Sequence, residues 1–163
     1  MLPRLPKSNE RCETAVSERA RVAIDTSVVI AGLLSWHEHH LAALHVLEEA
    51  LGDKSLVLPG PALIEAYSVM TRLPAPHRVR PPEAHALLEG TFEDSALVVT
   101  LTANELWRFV RTLSSNQTVG GRSYDAHILA CADKANASVL LTFNERDFLA
   151  LAHPEIEIRV PGR

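Results

Sequence analysis

Two cysteines are all that this sequence offers for thiol chemistry. Cys12 lies in a polar stretch and Cys131 in an apolar-rich one, with no CxxC spacing, which points to free thiols in a reduced compartment rather than to a disulfide scaffold. Long apolar runs are also missing. None approaches the length needed to span a bilayer, and the first twenty residues mix both charge signs with Pro3 and Pro6, so neither a signal peptide nor a membrane anchor is expected. An excess of positive charge is absent too. The net charge is -4 and the pI about 6.0, which argues against a strongly electrostatic, nonspecific nucleic-acid binder while leaving room for a local basic rim. There is no internal repeat and no low-complexity tract. What remains is 163 residues, 47% hydrophobic and 22% charged, enough apolar material for the core of one globular domain.

Residues 1 to about 20 read as a poorly ordered leader, an appended arm or a misassigned start, and residues 21–163 as the folded domain. The short β-branched run Arg21-Val22-Ala23-Ile24 reads as a strand that ends at a helix-start signal, Asp25-Thr26-Ser27. An apolar stretch follows to Leu34, then a helix from about His39 to Leu51 with Leu41, Leu44, Leu47 and Leu51 on one stripe, core or partner surface. Leu56-Val57-Leu58 reads as a second strand, turning through Pro59-Gly60-Pro61 into a helix that reaches about Arg72. Leu73 to Pro82 is the most basic loop. A helix from about Pro82 to Glu89, a strand at Ala96 to Val99, a helix opened by Thr102 and Asn104, a polar loop to Gly121, a helix from Ser123 to about Ala135 and a strand at Val139 to Leu141 complete the series. Strands alternating with helices predict a parallel α/β sandwich.

This alternation has a consequence for three acids that lie far apart in the chain. Asp25 follows the first strand directly. Glu65 falls in the early turns of the helix after the second, and Asp125 in the first turn of the helix that feeds the strand ending at Leu141. Strand-helix-strand units bring all three to the carboxyl edge of the sheet, where open α/β sheets bind ligands. Carboxylates gathered that closely call for a divalent cation.

In order, Val22 to Ser27, the segment Pro61 to Pro74 around Glu65, Gly121 to Ala126 and Leu141 to Phe148 resemble the PIN-domain ribonucleases, and most closely the VapC toxin branch. The resemblance spans about residues 21 to 160. It implies a three-layer α/β/α sandwich with a central, mostly parallel sheet, and a cytoplasmic endoribonuclease that depends on Mg²⁺ or Mn²⁺. It further implies RNA as substrate, a homodimer, and a cognate antitoxin that seats a helix or tail in a groove near the acids. Exposed apolar residues on the first two helices are expected to supply that groove. Asp25, Glu65 and Asp125 match the three core acids. Where some members carry a fourth acid this chain has Asn144, which offers a carbonyl oxygen without charge, so one tightly bound ion is expected.

These residue types suit phosphodiester hydrolysis. Magnesium takes oxygen ligands and keeps several waters, so Asp25 and Asp125 suffice as direct ligands, with Glu65 left to orient or deprotonate the attacking water. Thr26 and Ser27 are expected to hold Asp25 or a metal-bound water, with Asn144 and Asp147 at the periphery. Arg72, Arg78, Arg80, Arg122 and Arg146 are the expected phosphate contacts.

Plainer readings compete at each position. Asp25 also fits a helix N-cap, Glu65 a solvated helix residue, and Asp125 a partner for a helix dipole. The cluster His37, Glu38, His39 and His40 reads as a surface patch, and His127 as a packed or surface imidazole. An aspartyl phosphatase would want a second Asp where Ser27 stands. A degenerate PIN module that binds RNA or a protein without cutting is the alternative that Asn144 keeps open.

Overall fold

The computed structural model describes residues 20–151 and 153–163; most of the expected leader, Cys12 included, lies outside them. Among these residues there are five strands: β1 (Arg21–Ile24), β2 (Leu56–Pro59), β3 (Leu97–Val99), β4 (Ala137–Leu141) and β5 (Glu157–Arg159). Seven helices connect or cover them: α1 (Thr26–Leu33), α2 (His40–Gly52), α3 (Gly60–Arg72), α4 (Pro81–Phe92), α5 (Ala103–Ser115), α6 (Arg122–Lys134) and α7 (Glu145–Leu149). The strand order is β3-β2-β1-β4-β5 and every pairing is parallel. The result is the expected α/β/α sandwich. Crossovers on both sides of the sheet explain why its inner strands read as unbroken apolar runs: Ala23, Ile24, Val57, Leu58 and Leu140 are fully buried, covered on both faces.

Local sequence signals set most of the boundaries. Asp25 caps α1 by accepting from the Val28 amide at 3.1 Å. Thr102 and Glu105 form a reciprocal capping box at the start of α5. Proline in the first turn opens α3 and α4, where its missing N–H costs nothing. At the junction of β2 and α3 a side chain would not fit. A Cβ on Gly60 would lie 2.4 Å from Thr100 Cγ2, so glycine lets α3 start hard against the end of β3.

The apolar stripe of α2 divides. Leu47 is buried with Ala43 and Ala50, whereas Leu41 is 79% exposed. The apolar residues Val28 to Ala31 of α1 are buried. Larger exposed apolar side chains sit on α3, on β3 and on α5, which buries no residue at all despite its amphipathic sequence.

Two elements have no counterpart in the sequence reading. Both α7 and β5 are short, of five and three residues, and β5 carries Glu157 and Arg159 on either side of a single packing residue, Ile158. Phe148 anchors α7 in the core at 1% exposure. Phe148→Ala is expected to cost about 3–5 kcal/mol. A denaturant melt checks this, and a loss under about 1 kcal/mol would show that α7 is only loosely docked.

Candidate active site

In the strand order the chain reverses direction of travel at β1, which has β2 on one side and β4 on the other. Such a reversal opens a crevice at the carboxyl ends of the strands. Asp25 stands there. Its backbone N–H still donates to Leu141 O of β4 at 3.1 Å, while its side chain turns to begin α1.

Asp25 is 2% exposed, and both oxygens of its carboxylate accept hydrogen bonds. Oδ1 accepts from Ser27 Oγ at 2.6 Å and from the Val28 amide, and Oδ2 accepts from Thr142 Oγ1 at 2.7 Å. Burial outweighs these donors and raises the pKa from an ordinary 3.8 to about 6. The same hydroxyls also fix the neighbouring chain. Ser27 Oγ accepts from the Phe143 amide at 2.9 Å, and Thr142 Oγ1 accepts from the Asn144 amide at 2.8 Å. The segment from Thr142 to Asn144 is thereby locked to Asp25.

Glu65 comes from the second turn of α3, and its Oε2 accepts from Thr26 Oγ1 at 2.6 Å. Asp125, in the first turn of α6, has its pKa raised by burial first, then by the nearby charges of Asp147 and Glu65. Asp25, Glu65 and Asp125 line one cleft of about 440 Å³, together with Thr26, Ser27 and Asn144. Asp147 joins them through its field at Asp125. Among the described residues no Lys or Arg lines this cleft.

The donor set is all oxygen and anionic, which fits a hard divalent cation. No three residues among His, Cys, Asp and Glu are drawn together as a ready-made cage among the described residues. The reason is visible in the hydrogen bonds: Asp25 is turned toward Ser27 and Thr142, and Glu65 toward Thr26. Mg²⁺, which binds through one or two carboxylates and retains water, does not require a closed cage.

The arginines are distributed around the site rather than in it. Arg80 is paired with Glu83 in the first turn of α4, Nε to Oε1 at 3.0 Å, and Arg78 Nε donates to Leu73 O at 2.9 Å, so both are committed to near neighbours in the chain. Arg72 ends α3 and is exposed, Arg122 opens α6 one turn before Asp125, and Arg146 faces an adjoining cavity. His127 is a packed imidazole, its ring centre 5.3 Å from that of Phe109 and its pKa lowered by burial.

Two groups go beyond the sequence reading. Thr142, buried completely, seats Asp25, a role that only the adjacency of β1 and β4 reveals. His37, Glu38 and His39 line the acidic cleft. Read as a surface patch, they are one whose surface is the rim of the site, because the turn before α2 folds over the end of β1.

A parallel sheet in this order, with carboxylates from β1, α3 and α6 at its carboxyl edge, defines a PIN domain, and the profile of that domain matches residues 22–154. The chain belongs to the PIN-domain family, in its VapC branch of ribonuclease toxins from toxin–antitoxin systems. It is 37% identical to ribonuclease VapC40 of Mycobacterium tuberculosis over 119 residues, covering 73% of this chain and 84% of that protein. The crystal structure of the sarcin-ricin loop cleaving toxin VapC20 from the same species superposes with a TM-score of 0.62 at 19% identity, covering 83% of this chain and 98% of that one. DNA-bound VapBC from Salmonella typhimurium gives a TM-score of 0.59 at 21% identity, covering 86% of this chain and 98% of that one. No helix among the described residues is long and apolar enough to cross a membrane.

Proposed function

We propose that this chain is a Mg²⁺- or Mn²⁺-dependent endoribonuclease, the toxin of a VapBC-type pair, which hydrolyses RNA phosphodiester bonds in the cytoplasm until a cognate antitoxin covers the site. The observation that carries this reading is the buried Asp25 sharing with Glu65 and Asp125 one cleft that, among the described residues, no Lys or Arg lines. The name ribonuclease borne by its 37%-identical relative supports the same chemistry.

Asp25 and Asp125 would hold the cation, which when bound supplies a Lewis acid at the phosphate and lowers the pKa of coordinated water. Ser27 and Thr142 keep Asp25 aimed. Glu65, steadied at Oε2 by Thr26, has its other oxygen left to accept the proton of the attacking water. Arg122, three residues before Asp125, and Arg146, next to Asp147, would meet the RNA backbone, while Arg78 and Arg80 would first have to leave their present partners. Ile64 and Tyr67 on α3 and Trp107 and Val110 on α5 give the exposed apolar surface that a homodimer or an antitoxin would cover.

The test is cleavage of a structured RNA with and without Mg²⁺ or Mn²⁺. Glu65→Gln is expected to lower kcat by roughly 10²–10⁴-fold while cation uptake, read by calorimetry, persists. Full activity in Glu65→Gln would remove it from the mechanism, and cation-independent cutting would sink the reading. The degenerate module is favoured by one observation, the neutral Asn144 on the cleft wall, and it predicts RNA binding with no cutting under any cation.

A further inference from the structure

The His39 ring lies over that of Phe143, centroids 4.4 Å apart and planes 14° from parallel. Its other ring neighbour is His37, tilted, with centroids 5.7 Å apart. His39 starts α2 through its backbone, its carbonyl accepting from the Ala43 amide at 3.0 Å, and its side chain makes no capping bond. The imidazole is 46% exposed, with exposed Glu38 at 3.8 Å as its ionic contact. The pair also separates two cavities: His39, Phe143 and Asn144 line both the acidic cleft and a neighbouring one of about 740 Å³ that contains Arg146, Asp147 and the ion pair of Arg163 with Glu145. Phe143, for its part, is tied to the acids, since its amide donates to Ser27 Oγ, which in turn donates to Asp25.

A half-exposed flat ring, held in fixed register with the Asp25 carboxylate and lying between it and the cavity that holds Arg146, matches what single-stranded RNA needs. Bases stack on aromatic faces while phosphates follow positive charge. We infer that the His39–Phe143 pair is the stacking platform for a base of single-stranded RNA lying across the acidic cleft, with the strand continuing toward Arg146. This deepens the ribonuclease reading and rests on it. His39 is thus a positioning residue: it sets where the backbone crosses the acids and takes no part in the bond that breaks.

The test uses the full chain carrying Asp125→Asn, so that the RNA survives, and measures the anisotropy of a labelled oligouridylate and of an abasic ribose-phosphate chain of equal length. His39→Ala is expected to weaken oligouridylate binding by roughly 5- to 100-fold and to leave abasic binding unchanged, whereas His39→Tyr binds both within about 2-fold of the parent. Equal losses on both probes would make His39 a phosphate contact and overturn the platform. So would no loss, or no measurable oligouridylate binding by the parent. Cleavage by the chain with Asp125 restored separates the two readings. Cutting with an unchanged KM in His39→Ala refutes the platform alone, and base-dependent binding without any cutting refutes the ribonuclease reading.

Discussion

Asp25→Asn is expected to yield a protein that no longer cuts RNA and yet, free of divalent cations at neutral pH, melts at a higher temperature than the wild type. The carboxylate is buried, and its pKa of about 6 lies some two units above its ordinary value. Ionising it at pH 7 therefore costs the folded state up to roughly 3 kcal/mol. Asparagine has the same shape, caps a helix as well as aspartate does, and carries no charge to desolvate. For a chain of this size the gain corresponds to a rise of about 5–10 °C in Tm. Asp25→Ala provides the contrast. It also removes the charge, but it abolishes the cap to Val28 and strands the hydroxyls of Ser27 and Thr142, so it should fall well below Asp25→Asn. Paired melts in EDTA decide the matter, and an Asp25→Asn protein no more stable than wild type would show that Asp25 bears no such burden.

The second large effect is on the pH dependence of stability, and its sign is opposite to that of a salt-bridged carboxylate. Between an unfolded pKa near 3.8 and a folded value of about 6, the native state holds the Asp25 proton that the unfolded chain has lost. Stability of the cation-free protein should thus be greatest below about pH 4, decline through pH 4–6 and level off above, as far as this group governs it. Asp125, raised by burial and by Asp147 and Glu65, pulls the same way. A bound cation favours the ionised carboxylates, so added Mg²⁺ or Mn²⁺ should stabilise strongly at pH 7.5 and little at pH 4.5. Cation at about 100 times its Kd corresponds to roughly 2.7 kcal/mol. Thermal melts over both variables measure this; equal cation effects at the two pH values would mean that these acids are not where the ion binds.

How far the chain could be read in advance follows from the range of the forces involved. β1 and β2 are short apolar runs closed by strong punctuation, Asp25-Thr26-Ser27 and Pro59-Gly60-Pro61, and each was legible to within a residue. The convergence of Asp25, Glu65 and Asp125 on one cleft was legible too, because strands that all run the same way put the start of each connecting helix at the same edge of the sheet. The plainer reading of Asp25 also holds: it caps α1 and lines the cleft at once. By contrast β5 exists only because Val139 to Leu141 offers it an edge, and nothing local in Glu157 to Arg159 announces a strand. α4 runs on to the buried Phe92, past the Glu89 at which the sequence pattern stops. The arginines were the least legible. Their side chains are long, and whether one reaches a phosphate or folds back on Glu83 or Leu73 is decided by loop geometry that no residue pattern encodes.

The seating of Asp25 by Thr142 joins residues 117 positions apart. A chain still emerging from the ribosome therefore carries its first acid long before it owns the hydroxyl that aims it, or the Asn144 side of the cleft. A chain cut short before β4 would hold all three acids without the strand and the hydroxyl that seat the first of them.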